Sequence, residues 1–190
     1  MTSSQCPSLS RAAIPSLITQ GFRADVPSPV ILLADQHVGH NAVLSAAFDV
    51  ARASERPFAE LPRTPVESDG LAAFSVTVAE LAQASQGMTV PHAVGSPVQI
   101  QQTQSLIASL RAMGSAERNV LVVRLSGEES AKEMNLALCV LDQAHPNVGV
   151  DLTHTPVFWC GPTAQSMPTA YRNACQVFTL ASPTPRPAAP

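Results

Sequence analysis

The chain is poor in charge and in aromatic rings. Charged residues make up 13% of its 190 positions and aromatics 4%, the former about half the usual share. Net charge is −3 and no run of Lys or Arg is present. That excludes a protein that tracks a phosphate backbone by electrostatics, so no nucleic acid is expected as a partner. Cysteine is also sparse. Cys6, Cys139, Cys160 and Cys175 form no CxxC pair and no zinc-ribbon spacing. Three of them lie in apolar segments, where a reduced cysteine acts as a small hydrophobe, and a disulfide framework would want more cysteines in a smaller chain. No apolar run approaches the ~20 residues of a membrane span. Met1 to Ser10 has neither the basic start nor the apolar centre of a secretory signal. These absences together point to a soluble, cytoplasmic protein.

What is present is proline, 17 of them, and apolar bulk supplied by alanine, valine and leucine to a hydrophobic share of 45%. This length and composition suit one ordinary domain with a real core. A surface so low in charge is compatible with a protein that sits against partners, and equally with simple alanine richness.

Residues 1–27 carry little periodicity and are expected to be a poorly structured lead. Val30 to Ala34 is a continuous apolar run, the pattern of a strand buried on both faces of a parallel sheet. From Asn41, apolar residues recur at helical spacing through Val43, Leu44, Ala47, Phe48, Val50 and Ala51. Arg56 to Pro65, with three prolines, is a loop or an edge segment. Ser68 or Asp69 then has the look of an N-cap, with Leu71, Phe74, Val78 and Leu81 as the stripe of a helix. Gly87 to Pro97 reads as a break, and Gln99 to Met113 as a further helix that ends at Gly114.

Asn119 to Leu125 reads as a second strand. Ser126 and Glu129 are spaced as a capping box for the helix that follows, which carries Met134, Leu138 and Leu141 and ends near His145-Pro146. Thr155 to Cys160 is a third strand, Gln165 to Ala174 a helix, and Gln176 to Leu180 a fourth strand. Ser182 to Pro190, rich in proline, is expected to be a disordered tail. The expected organisation is a single α/β domain over residues 28–181. It is a three-layer sandwich with a mostly parallel sheet of four or five strands.

The junction Ala34-Asp35-Gln36-His37-Val38-Gly39-His40-Asn41 follows the first strand, where open α/β sheets take ligands. Laid on the phosphate-loop pattern GxxxxGK[ST], only Gly39 matches. Ala34 replaces the first glycine, His40 the lysine and Asn41 the hydroxyl residue, while Asp35 puts negative charge where phosphates would lie. The second apolar strand ends in Arg124 instead of a magnesium-holding acid. Hydrolysis by this route is therefore not expected, and no cofactor is. Gly39, His40 and Asn41 remain as candidate positions for an anion at the helix N-terminus.

Asn119 to Leu180 combines an apolar strand, a helix bearing Asn135-Leu136, the segment Pro156-Val157-Phe158-Trp159, and a helix leading to Val177-Phe178. This order resembles the distal part of the P-loop NTPase core in bacterial STAND-type signalling ATPases, over about a third of the chain. The resemblance implies a degenerate P-loop fold and a partner-regulating role. None of that family's nucleotide-binding residues has a counterpart here.

Asp35-x-His37, with Gly39 and His40 after it, resembles the opening Asp-x-His of calcineurin-like metallophosphoesterases. The later motifs of those enzymes are absent, so the alternative is one divalent metal such as zinc on Asp35, His37 and His40, completed by His92, His145 or His154. Against it stands a plain role for Asp35 as helix cap beside solvated histidines. A hydrolase triad of Asp151, His154 and Thr163 or Ser166 lacks a nucleophile elbow. Cys160 is either a thiol activated at a helix start or a core cysteine beside Trp159. The favoured expectation is a non-catalytic adaptor or regulatory subunit of a bacterial-type multiprotein system. It would bind another protein, with oligomerisation left open. The alternative is a metal-dependent hydrolase.

Overall fold

The computed structural model describes residues 6–25, 28–61, 70–89, 97–113, 118–141 and 152–181. Its centre is made by the apolar runs. Strand β2 (Val30–Leu33) lies between β6 (Val157–Gly161) and β7 (Gln176–Leu180), and β5 (Asn119–Arg124) follows β6 on the far side. Strand β4 (Leu71–Thr77) comes next, with β3 (Phe58–Leu61) at one edge and β1 (Ser8–Leu9) at the other. The seven strands run in the order β1-β7-β2-β6-β5-β4-β3, and every pairing is parallel.

The α/β architecture agrees with the sequence expectation, but the sheet holds seven strands instead of four or five. Of the extra strands, β1 and β3 are short and lie at the sheet edges, whereas β4 is interior and seven residues long and was expected as part of a helix. A strand of two to four residues leaves no legible period, and tertiary pairing decides it.

Alternation sorts each strand between two cores. Val30, Leu32, Leu71, Ala73, Val120, Val122, Phe158 and Cys160 face one side, packed with α1 (Ile14–Gly21) and α2 (Gln36–Ala53). Ile31, Phe74, Val76, Leu121, Val123 and Trp159 face the other, packed with α3 (Val78–Thr89), α4 (Pro97–Met113) and α5 (Ala131–Leu141). Tyr171 of the short α6 (Thr169–Asn173) also lies there, edge-on to Trp159 at 5.6 Å between ring centroids. Helices on both faces of a parallel sheet make three layers.

Several expectations change. The lead contains β1 and α1, whose Ile14 and Ile18 are fully buried. Ile14, Leu17 and Ile18 recur at spacings of three and four on one face of this eight-residue helix. Leu71 to Thr77, expected as the start of a helix, is a strand with alternating burial, and the helix starts only at Val78. Thr77 caps it, accepting from the Glu80 N–H at 3.2 Å, while its own N–H donates to the Glu80 carboxylate at 2.7 Å. Spacings of three and four had mixed strand and helix positions in one stripe. Ser68 and Asp69 lie outside the described residues.

The helix after β5 begins one box later than expected. Ser126 does bond Glu129, but the helix starts at Ala131, where Ser130 accepts from Glu133 N–H at 3.2 Å and its hydroxyl donates back at 2.6 Å. The Ser130 hydroxyl and N–H, both donating to it, hold the Glu133 carboxyl below its ordinary value. Glu128 and Glu129 therefore belong to the preceding turn. The helix expected over Gln165 to Ala174 shrinks to α6, because Pro168 interrupts it. The endings at His145-Pro146 and Gly114, and the tail, lie outside the described residues. Among the described residues no helix is long and apolar enough to cross a membrane.

Candidate functional site at the carboxyl ends of the strands

From β2 the chain turns onto the face of α2, whereas from β6 it turns onto the opposite face, where Ala164 and Met167 pack. That divergence marks a topological switch point at the carboxyl ends of β2 and β6, the position where open α/β sheets place ligands.

The β2–α2 junction fills this position with helix structure. Asp35 is the N-cap of α2, its carboxylate accepting from the N–H groups of His37 at 2.9 Å and Val38 at 3.3 Å. The Gly39 N–H donates to the Asp35 carbonyl at 2.9 Å. Two of the free donors that a phosphate would seek at a helix start are thus engaged, and the Gly39 N–H is taken by the helix itself. The helix begins at Gln36 instead of near Asn41, so His37, Gly39, His40 and Asn41 belong to its first turns. Gly39 has a packing role: a Cβ there would lie 3.0 Å from the Cys160 Cβ.

Asp35 and His37 are exposed and His40 is half-buried. Among the described residues no group of three or more His, Cys, Asp and Glu side chains is arranged to hold a metal ion. His154 precedes β6, at the amino end of the sheet, away from the junction. His92, His145 and Asp151 lie outside the described residues. Because β6 separates His154 from Thr163 and Ser166 by about 16 Å of strand, those residues do not form a triad. Thr163 closes a local turn instead, accepting from the Gln165 N–H at 3.1 Å. Cys160 is fully buried and its thiol is pushed up to about 12 by desolvation. It lies in the core beside Trp159, and burial favours the protonated form of the thiol.

One polar group lies deeper, between α2 and the sheet. Arg124 ends β5, level with Thr77 of β4 and Cys160 of β6. Alternation from Val120 and Val122 turns it to the α2 face. By the same alternation from Leu71 and Ala73, Ser75 of β4 faces that side, level with Val122. His40, in the first turns of α2, lies near enough to Arg124 to feel its charge. Burial lowers the His40 pKa from the ordinary 6.5, and the Arg124 charge lowers it further. Asn41 and Glu60 oppose the shift, and His37 adds to it slightly. Among the described residues, His40 Nε2, Arg124 Nε and Ser75 Oγ are all buried without a hydrogen-bond partner.

The sequence had presented Arg124 only as the wrong residue for magnesium, and Ser75 was hidden inside a supposed helix. The available signal was a lone cation at the end of an apolar strand. No family model matches the chain, and no curated protein or solved structure matches it.

Proposed function

We propose that the protein is a non-catalytic α/β adaptor or regulatory subunit, cytoplasmic and part of a bacterial-type multiprotein system, that works by binding another protein. The observation that carries this reading is the β2–α2 junction. At the position of an α/β active site, Asp35 is spent on capping α2 and Gly39 on seating it against Cys160.

Two further features support it. Phe48 is 50% exposed on α2 and meets Phe58 of edge strand β3 edge-on at 5.9 Å. Such an aromatic pair beside a sheet edge suits a protein partner. The low charge of the chain fits the same use. The likeness to a degenerate P-loop fold is supported by the place of β2, flanked by the two strands that carry Phe158-Trp159 and Val177-Phe178.

The test pairs two measurements on the full chain. With Mg-ATP, Mg-GTP and a generic phosphoester, turnover should equal the blank. Tagged at native abundance, the protein should run in a stoichiometric complex that Phe48→Asp disperses. Turnover lost in His40→Ala, or stoichiometric zinc, manganese or iron in untagged protein, would replace this reading with the hydrolase alternative. A lone monomer at native abundance would remove the adaptor role.

A further inference from the structure

A guanidinium whose Nε is buried, with no acid paired to it, is a costly arrangement in a folded protein. Arg124 is in that state: its Nε is buried, and among the described residues no acid is paired with it. Two more polar atoms on the same sheet face, His40 Nε2 and Ser75 Oγ, are buried and unpartnered as well. Native structures satisfy nearly all such atoms, so three on one face at the ligand end of an α/β sheet ask for a common partner.

We propose that Arg124, Ser75 and His40 form a binding site for one small oxyanion, a phosphate or carboxylate group, held between the first turn of α2 and the carboxyl ends of β4 and β5. The chemistry of the donors selects this class. Arg124 supplies a fixed positive charge and a directional N–H, Ser75 a rotatable hydroxyl, and His40 a ring nitrogen able to donate. An oxyanion answers all three, whereas a metal ion would meet the guanidinium charge.

The acid nearest in effect is Glu60 of β3, which is exposed and free to turn to water. The site differs from a phosphate loop, because the backbone donors of α2 at His37, Val38 and Gly39 are already engaged and the side chains beneath the helix bind instead. It does not depend on the adaptor role, and an anion here would fix how α2 lies on the sheet.

Titration of the full chain with sodium phosphate, and separately with sodium acetate and citrate, tests this at constant ionic strength against sodium chloride. Calorimetry and thermal melting give the readout. Saturable stabilisation by phosphate assigns a phosphoryl ligand, and by the carboxylates a carboxylate ligand. Arg124→Gln should weaken the effective anion at least about tenfold, the worth of one charge-assisted hydrogen bond. Ser75→Ala should also weaken it, and serves if Arg124→Gln does not fold. Response no greater than to chloride, or a folded Arg124→Gln or Ser75→Ala protein that binds as tightly as wild type, overturns the proposal.

Discussion

Gly39 lies against Cys160 so closely that a Cβ at position 39 would sit 3.0 Å from the cysteine Cβ and 3.3 Å from its sulfur. Cys160 is in the middle of the sheet, between β2 and β5, and has no room to retreat. The glycine therefore sets how near the first turn of α2 comes to β6.

Gly39→Leu should destabilise the fold by about 2–3 kcal/mol through overpacking. At this size that lowers melting by roughly 4–12 °C. Chemical denaturation checks it, and a wild-type midpoint would show that α2 does not rest on β6 in this way.

Asp35 acts through its cap. Asp35→Ala should cost about 1 kcal/mol, while Asp35→Ser and Asp35→Asn should stay close to wild type. A severe loss in Asp35→Ser, measured by urea unfolding, would mean that the carboxylate does more than accept two N–H bonds.

The far end of α2 offers a gain. Glu55 has a φ of 54°, and its N–H and that of Arg56 return to the carbonyls of Arg52 and Ala51. This is the helix stop in which glycine is usual. Glu55→Gly should raise stability by about 0.5–1 kcal/mol by relieving the left-handed strain. Equilibrium denaturation showing a loss would count against the stop geometry.

Thiol reactivity should rank by burial. Cys139 is exposed and should label first with a thiol reagent in native buffer. Cys175 is pushed up to about 11 by desolvation and Cys160 to about 12, so Cys160 should label only on unfolding. Mass spectrometry of a labelling time course decides the order.

Stability should fall at both ends of the pH range. Burial raises the Cys160 and Tyr171 values to about 12 from 9.0 and 10.0. For Tyr171 the neighbouring Cys175 adds to the rise and Trp159 opposes it. These folded values exceed the unfolded ones, so their stabilisation is complete below pH 9.0 and is lost as pH climbs toward 12. His40 is the reverse case. Its folded value is depressed, so its contribution is present above 6.5 and is lost as pH falls below that. His40→Ala should remove the part of the acid limb that begins near 6.5, measured as melting temperature against pH. A limb unchanged in that variant would exclude His40 as its source.

The sequence marked the sheet centre well, because Val30 to Leu33 and Asn119 to Val123 are buried on both faces and so need no alternation to be seen. It also placed a ligand-end junction at Asp35 and offered a helix cap among its readings. It misread Leu71 to Thr77, where residues at strand period fall by chance into spacings of three and four with those of α3. It could not show β1 or β3 as strands, since two and four residues carry too little pattern.

By itself the sequence determined the α/β class, the order of its main elements and the lack of a complete phosphate-loop or two-metal motif, all consequences of local composition and period. Only the tertiary structure decided that Gly39 is a packing residue and that Arg124, Ser75 and His40 share one buried face. Those three residues are far apart in the chain. Parallel pairing and the crossing of α2 bring them together, and pairing between distant strands leaves no mark in a local window.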